Sequence, residues 1–419
     1  MVPSVSLATA LCFVRLASSV PSPEPTISPY NSTTTTTTTT SPPTTSTTPS
    51  PVEGKIWVLL VAGSKGFYNY RHQADICHAY QIIHASGIPD ENIIVMMYDD
   101  IANNDDNVFP GKIFNRPGGS DVYKGVPKDY TLDDVNPKNF INILKGNKEA
   151  LAGIGSGRVI ESGPNDHIFI NFVDHGGPGV LYFPNEELMA DELISNITEM
   201  AYYKKFGKLV LYVEACFAGS MFQNLLKDNL NVFVTTASDP YESSYACYYD
   251  DSIGTYLGDV FSVNWMEDTE KEDLTRESLN RQFEIVRAET KTSHVEEYGD
   301  LDLGITKLSS IIGYQSMRNR MWNMKNEKSF VRFKDAVPSI QVPNSILQRK
   351  LDSTKGAFDR MELKMKLHVL KQNIYITTHL SKFVNFCNMP WTRLPVMLNA
   401  INKQCSKENV NLIGLKNVI

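Results

Sequence analysis

The sequence predicts an α/β fold in which helices cover both faces of a mainly parallel sheet. Short runs of apolar, β-rich residues closed by turn signals recur along the chain, as expected for buried strands. Stretches with helical apolar spacing separate these runs. Two of the runs, Ile168–Val173 and Leu209–Val213, end directly in polar residues. That pattern is typical of the carboxyl edge of a parallel sheet, where chemistry takes place.

The individual elements follow from these patterns in chain order. Five strands are predicted, at Ile56–Ala62, Ile93–Tyr98, Ile168–Val173, Leu209–Val213 and Val232–Thr236. Five helices are predicted between or after them, at Gln73–His84 (ended by Gly87), Phe140–Ala150, Glu186–Tyr203, Ser220–Leu226 and Thr275–Thr292. Residues 99–135 are rich in Asn, Asp, Gly and Pro, and therefore predict long surface loops.

The two ends of the chain differ from this globular part, which spans 55–315. Residues 1–20 resemble a secretory signal, with a short apolar stretch followed by small residues. Residues 21–54 are a Thr/Pro-rich segment that is expected to be disordered, either as a plain linker or as an O-glycosylated stalk. Residues 316–345 predict an exposed linker. Residues 346–419 predict a small α-helical domain with helices at Ile346–Val384 and Leu394–Asn402. No other stretch approaches the ~20 apolar residues of a membrane helix.

The charge of the chain is divided between two regions of opposite sign. Residues 320–419 hold 17 basic and 6 acidic side chains, whereas residues 1–319 hold 23 basic and 41 acidic ones. A basic tail suggests nucleic acid, but this one lacks a recognisable nucleic-acid-binding motif. Docking of the basic tail on the acidic body is the preferred interpretation, because the two fields are complementary.

The cysteines point to a free thiol. Cys12 belongs to the signal, and five cysteines remain, at 77, 216, 247, 387 and 405, so one is expected to stay unpaired. Cys77 and Cys247 are interpreted as core residues, since free Cys is among the most buried residue types. Cys216 is the candidate nucleophile. A helix predicted to open just after it would lower the pKa of its thiol.

A histidine follows the neighbouring strand. His175 can take a proton from a thiol near neutral pH. Gly176 and Gly177 would allow the backbone to approach a substrate closely and aim N–H groups at an oxyanion. The residues alone therefore predict a Cys/His hydrolase.

Several long motifs extend this interpretation. AGSKGFYNYRHQADICHAYQII, NFVDHGGPGVLYFPNEEL, YVEACFAGSMF and SSYACYYDDSIGTYLGDVFSVNWMED together resemble the legumain, or asparaginyl endopeptidase, family of cysteine peptidases. The resemblance implies a caspase-like fold for 55–315, an activation linker at 316–345 and a helical prodomain at 346–419. It implies neither a cofactor nor a metal, and no partner among nucleic acids.

The resemblance also assigns the site residues. Cys216 matches the nucleophile, His175 the general acid/base and Asn69 the residue that supports the histidine. The oxyanion hole is expected at the backbone around Gly176 and Cys216. The pocket for P1, the residue before the cleaved bond, is expected to contain Arg71, His72, Glu214, Ser243 and Asp259. An Asn side chain offers one carbonyl acceptor and an NH₂ donor. A pocket that contains both positively and negatively charged side chains should therefore accept Asn and reject Lys and Arg. It should accept Asp only when the Asp carboxyl is protonated.

The family further implies regulation and partners. The expected enzyme is a monomer that acts on proteins and peptides, is made as a zymogen and becomes active at low pH. Its own prodomain and cystatin-type proteins are the expected inhibitors. Acid would protonate body carboxylates and weaken the docking of the basic tail. Candidate autocleavage sites are Asn319, Asn323, Asn326 and Asn344. The chain is expected to enter the secretory pathway, with a lysosomal, endosomal or secreted destination. Glycosylation is expected there at the sequons of Asn31 and Asn196.

The sequence departs from the family pattern beside the nucleophile. Phe217-Ala218 stands where the family usually has Glu-Ser, which would change the balance between hydrolysis and peptide ligation or weaken activity. The tail is shorter than usual and carries two cysteines rather than four. Two alternatives therefore stay open at this point: a dedicated transpeptidase or transamidase, and a catalytically weakened binding protein.

Overall fold

The computed structural model describes residues 54–314 and 333–386, with the side chains of the last helix given as far as Gln372. Several of the residues and segments named above lie outside these ranges: the signal and most of the Thr-rich segment, Asn31, Asn319, Asn323, Asn326, Cys387, Cys405 and the predicted helix Leu394–Asn402.

A six-stranded sheet forms the centre of the fold. Its order is β11-β8-β7-β3-β1-β2, and every neighbouring pair is parallel except β11 with β8. The strands are β1 (Ile56–Ala62), β2 (Ile93–Met97), β3 (His167–Val173), β7 (Lys208–Glu214), β8 (Val232–Thr236) and β11 (Glu296–Gly299). The predicted mainly parallel sheet is confirmed, because long apolar runs in a sheet covered on both faces leave little ambiguity.

Helices and two small sheets surround the central sheet. The helices are α1 (Tyr70–Ala85), α2 (Pro137–Lys145), α3 (Ala190–Tyr202), α4 (Val260–Lys271), α5 (Leu279–Glu289), α6 (Val342–Ser353) and α7 (Ala357–Phe386). One small sheet comprises β4 (Gly176–Gly177), β5 (Val180–Tyr182) and β6 (Glu187–Met189). The other comprises β9 (Tyr245–Asp250), β10 (Thr255–Asp259) and β12 (Val337–Pro338). None of the helices in the described part of the chain is long and apolar enough to cross a membrane.

The core lies on both faces of the central sheet. Alternate residues of each strand point to opposite faces, so one strand supplies both layers. Val58 and Leu60 of β1 pack with α1 and α4, whereas Leu59 and Val61 pack with residues of α2 and α3. Cys77 and Cys247 are fully buried and free, which confirms their interpretation as core residues.

Several predicted helices differ from the observed ones: the one predicted at Phe140–Ala150 spans Pro137–Lys145, and the one predicted at Thr275–Thr292 spans Leu279–Glu289. The helix predicted at Glu186–Tyr203 begins only at Ala190, because its first residues form β6 against β5. The helix predicted at Ser220–Leu226 is only a short 3-10 turn, Ala218–Met221. The Tyr245–Asp259 hairpin and the helix after it were not predicted, because their apolar and polar residues alternate without a clear period.

The C-terminal segment, residues 333–386, packs on this hairpin and begins earlier than predicted. Its strand β12 pairs antiparallel with β9, and helix α6 begins at Val342 rather than at residue 346. Val342 and Ile346 bury their side chains against Ala246 and Tyr256. The predicted single helix over 346–384 is broken at Thr354 into α6 and α7, which pack together through leucines.

Candidate active site

The carboxyl ends of β3 and β7 bring the two proposed reactive residues together at one edge of the sheet. β3 leads into His175, and β7 leads into Cys216. The two strands are neighbours, and Val173 is in register with Glu214. A Cβ added to Gly176 would lie 2.2 Å from the backbone oxygen of Cys216, so only glycine permits this close approach. The backbones of Gly176 and Cys216 therefore lie next to each other, where the oxyanion hole is predicted.

The imidazole of His175 is oriented by Asn69. Its Nε2 lies 2.9 Å from Asn69 Oδ1, and Asn69 Nδ2 donates to Lys65 O. Asn69 immediately precedes helix α1, so the start of the helix fixes its position. The ring of His72 packs edge-on against that of His175. Burial and the charge of Arg71 lower the pKa of His175 to about 3.

The Cys216 thiol is buried, and its chemical environment differs from the one predicted. Its Sγ lies 3.1 Å from Ser243 Oγ, and only 4% of the residue is exposed. Burial raises the pKa of this thiol, with the Ser243 hydrogen bond opposing the shift. The predicted lowering by a helix N-terminus was wrong, because only the short 3-10 turn follows. Burial therefore favours the neutral forms of both the Cys216 thiol and the His175 imidazole.

Phe217 is held in an unusual backbone conformation directly after the nucleophile. Its φ is 56°, a left-handed value that non-glycine residues rarely adopt, and its N–H donates to Glu242 O. The side chain is half-buried. The strained turn replaces the predicted helix and fixes the backbone that carries Cys216.

The predicted P1 pocket is a buried polar cluster. Arg71 Nε donates to Asp259 Oδ1 at 2.8 Å, and both side chains are almost fully buried. Glu214 Oε2 accepts from both the backbone and the hydroxyl of Ser262. Ser262 was not predicted, because nothing in its position within the buried helix α4 distinguishes it from a packed residue. Ser243 contacts the Cys216 thiol.

Three atoms of this pocket have no hydrogen-bond partner among the described residues: Arg71 Nη2, Glu214 Oε1 and Asp259 Oδ2. A buried polar atom without a hydrogen-bond partner costs about 1–3 kcal/mol, which a ligand that pairs with the atom recovers. One donor and two carboxyl oxygens form the complement of a carboxamide, which brings a carbonyl and an NH₂ group. The pocket is therefore suited to an uncharged amide side chain.

His72 belongs to the same buried cluster. Its Nδ1 lies 2.7 Å from Ser64 Oγ, and its Nε2 lies 3.8 Å from Asp259 Oδ2. Burial, together with the charges of Arg71 and His175, lowers the pKa of His72 well below its usual value. A neutral imidazole here leaves Arg71 as the donor with a permanent charge in the pocket.

Glu214 gives this pocket a measurable pH dependence. Burial and the nearby Asp259 raise the pKa of Glu214 to about 8. The folded chain therefore binds a proton that the unfolded chain, with an ordinary Glu, releases near pH 4.5. This stabilisation, on the order of a few kcal/mol, is complete below pH ~4.5 and is lost as the pH rises through about 8.

Glu214→Gln, which mimics the protonated carboxyl, tests this dependence. The melting temperature of the unchanged chain should fall relative to that of Glu214→Gln as the pH is raised from 5 to 9, when both are measured by calorimetry. Melting curves that stay parallel over this range would contradict the raised pKa.

The C-terminal segment covers the site. A cavity of about 710 Å³ lies between the two, lined on one side by Asn69 and His175 and on the other by Leu347, Met365 and Val369. Ser339 lies at the mouth of the P1 pocket, where its N–H donates to Ser244 O and its Oγ lies 3.4 Å from Asp259 Oδ1. Asn344, the one described cleavage candidate, is buried within α6.

Comparisons with known proteins identify the family. Residues 56–315 match the Peptidase C13 family. The chain is 52% identical to legumain of Bos taurus, over 77% of this chain and 73% of that protein. It is 44% identical to the vacuolar-processing enzyme delta-isozyme of Arabidopsis thaliana, over 75% and 70% of the two chains. The crystal structure of caspase-1 from Spodoptera frugiperda aligns with a TM-score of 0.37 and 10% identity, over 63% of this chain and 92% of that one. The chain therefore belongs to the Peptidase C13 family and is a cysteine-type asparaginyl endopeptidase.

Proposed function

We propose that the chain cleaves the peptide bond after Asn by acyl transfer from the substrate to Cys216. The Cys216 thiol gives its proton to His175 and attacks the P1 carbonyl carbon. His175 returns the proton to the leaving amine as the C–N bond breaks, and a thioester remains. Water, with His175 as general base, then releases the acid and restores the thiol. Backbone N–H groups near Gly176 and Cys216 stabilise the oxyanion of each tetrahedral intermediate.

The three unpartnered pocket atoms carry the proposal. Arg71 Nη2 donates to the side-chain carbonyl of Asn, and Asp259 Oδ2 accepts from its NH₂ group. With its pKa near 8, Glu214 is neutral at acid pH, and its Oε1 can then donate as well as accept. Asp fits the same contacts once its carboxyl is protonated at acid pH.

A peptide series that differs only at P1 tests this specificity. The full chain is incubated at acid pH and then given otherwise identical peptides with Asn, Asp, Gln, Lys or Ala at P1, with the products read by mass spectrometry. Cleavage should be selective for Asn at every pH and should extend to Asp only at acid pH. Efficient cleavage after Lys or Ala would contradict the pocket assignment.

We also propose that the C-terminal segment is an inhibitory cap. Ser339 closes the mouth of the P1 pocket, and helix α7 covers the cleft above His175. Docking rests largely on the burial of the apolar side chains of Val342 and Ile346. Asp335 adds hydrogen bonds, which it accepts from the N–H groups of Tyr248 and Tyr249. The guanidinium of Arg349 lies 4.0 Å from the centre of the Tyr249 ring. These contacts support a cap that buried groups hold in place, in addition to the attraction between the basic tail and the acidic body.

Two substitutions on α6 separate burial from charge. Ile346→Asp should raise peptidase activity at neutral pH at least about tenfold, because it puts a charge into the buried contact with Ala246 and Tyr256. Lys350→Asp changes the charge of the same helix by more, but at an exposed position, and should have little effect.

The rate of peptide cleavage at pH 7 distinguishes the two mechanisms, with salt titrated in parallel. Activation by Lys350→Asp, or by salt alone, would show that long-range charge holds the cap, as the charge division of the sequence suggests. Activity that none of these changes alters would refute the cap.

Peptide ligation is the second candidate activity, and Phe217 favours it. A half-buried apolar side chain follows the nucleophile where the family usually carries Glu, and it would disfavour the attacking water over an incoming amine. Adding an amine-bearing peptide to the P1-Asn assay should give joined products, and Phe217→Glu should reduce their share. Equal shares of joined products from both chains would show that Phe217 does not set the balance, and the absence of joined products would leave hydrolysis as the reaction.

The proposed setting is the acid part of the secretory pathway, in endosomes or lysosomes, or outside the cell. The sequon at Asn196 lies on helix α3, where its side chain is half-buried and donates to Glu192 O. Intact-mass analysis before and after glycosidase treatment of the expressed chain tests whether it is modified.

A further inference from the structure

One face of helix α1 holds Asp259 by both its side chain and its backbone. Arg71 and Asp75 are separated by one turn, so they project toward the same neighbouring strand, β10. Arg71 Nε donates to the carboxylate of Asp259 at 2.8 Å, and Asp75 Oδ2 accepts from the backbone N–H of Asp259 at 3.2 Å. The first contact belongs to the P1 pocket, whereas the second lies behind it.

Asn115 makes a second connection between Asp75 and the same strand. Its Nδ2 donates to Asp75 Oδ1 at 2.7 Å and to Leu257 O at 2.9 Å. Its Oδ1 lies 2.7 Å from Nδ1 of His78, whose Nε2 lies 3.1 Å from Glu270 Oε1. The strand is therefore held at two backbone positions, at the N–H of Asp259 by Asp75 and at the carbonyl of Leu257 by Asn115. His78 in turn holds Asn115 in place.

The strand packs closely against Asp75, Asn115 and Val263 at Gly258, which lies between Leu257 and Asp259. A Cβ added to Gly258 would lie 3.0 Å from Asn115 Nδ2, 3.2 Å from Asp75 Oδ1 and 2.8 Å from the Val263 side chain. The fit leaves Asp75 fully buried, with no exposure to the substrate cleft. Any action of Asp75 on the reaction must therefore pass through Asp259.

The surroundings of Asp75 are polar and acidic. Asp259 and Glu214 are the charged groups that act on it most strongly, and Asn115 is its hydrogen-bonded neighbour. Burial and the negative charge of Asp259 raise the pKa of Asp75 well above its usual value.

We propose that Asp75 is a positioning residue for the P1 pocket, one that fixes strand β10 so that Asp259 meets the amide of the P1 side chain. The inference rests on the P1 role proposed above for Asp259. It adds a determinant of specificity that contacts neither the substrate nor the reacting atoms.

Asp75→Asn in the full chain tests this role, because the substitution keeps the shape of the side chain but loses one of its two accepted hydrogen bonds. After acid incubation, kcat/KM for a P1-Asn peptide should fall between about tenfold and 10²-fold, chiefly through a higher KM. The rate at which iodoacetamide alkylates Cys216 should stay unchanged, because this reagent has no P1 side chain. An unchanged kcat/KM, or an equal loss in the alkylation rate, would overturn the proposal.

Asp129→Asn is the matched control. Asp129 is also buried and accepts from a strand N–H, that of Val95, but it lies outside the P1 pocket. It should lower the melting temperature and leave kcat/KM within about twofold.

Asp259→Asn, measured in parallel, distinguishes a failure of the proposed P1 pocket from a failure of the positioning role of Asp75. If it leaves P1-Asn cleavage intact, the proposed pocket itself is wrong. If it abolishes that cleavage while Asp75→Asn has no effect, only the positioning role is wrong.

Discussion

Cys216→Ala is expected to lower kcat/KM for a P1-Asn peptide by on the order of 10⁴-fold or more, the loss typical of removing a nucleophile. Cys216 stands at the carboxyl end of β7 with His175 at the end of the neighbouring strand. Of the other cysteines that the structure describes, Cys77 and Cys247 are both fully buried in the core. Initial rates over a range of substrate concentrations measure the effect.

Cys77→Ala provides the matched control for this substitution. Cys77 lies on helix α1, and its thiol contacts Met97 Sδ at 3.9 Å. Removing that sulfur leaves a small cavity that costs about 1 kcal/mol of stability and should not change kcat/KM. Residual cleavage by Cys216→Ala above a tenth of the normal rate would exclude Cys216 as the nucleophile.

Arg71→Lys is the second substitution with a large expected effect. A lysine at this site keeps the positive charge but cannot reach Asp259 and the substrate carbonyl at once, because it lacks the planar fork of the guanidinium. We expect kcat/KM for P1-Asn peptides to fall by 10²-fold or more, since a pocket built to hydrogen-bond its substrate discriminates strongly. The variant should also be less stable than the unchanged chain, because an ammonium group cannot reproduce the hydrogen-bond geometry of the buried guanidinium with Asp259.

Arg158→Lys controls for the loss of a guanidinium. Arg158 forms an ion pair with the buried Asp129 and donates to Asp90 O and Ile93 O, outside the P1 pocket. This variant should lose stability but keep its selectivity among the P1 peptides. If Arg71→Lys retained the same preference for Asn over Gln and Ala, the proposed contact to the P1 carbonyl would be wrong.

The sequence predicted the strands better than the turns that carry the chemistry. The strands of a sheet covered on both faces are short apolar runs, and β1 and β8 have the predicted bounds. A turn was predicted at Phe217–Ser220, and a helix was predicted to open from it at Ser220, but only the 3-10 turn Ala218–Met221 forms there. Phe217 instead takes a left-handed conformation there, with its N–H donating to Glu242 O. That contact joins residues 25 positions apart, and a local pattern does not contain it.

Local sequence patterns also could not predict the P1 pocket. Arg71 and Asp259 are 188 residues apart, and only the family resemblance brought them together before the structure did. Asp75 was missed although it lies one turn from Arg71 on the same helix. The signal available was its position among the apolar residues of a helix that proves to be buried on nearly every side. Such a carboxyl has a partner or a function, but the sequence does not say which.

The most direct test of the account is to trap the acyl-enzyme. The full chain, incubated at acid pH, is mixed with an excess of a P1-Asn peptide, quenched within milliseconds to seconds, digested and analysed by mass spectrometry. We expect a thioester between the acyl fragment and Cys216, and hydroxylamine should remove it. The adduct should be absent from Cys216→Ala and present in Cys77→Ala. Turnover without any adduct on Cys216, or an adduct on another residue, would contradict it.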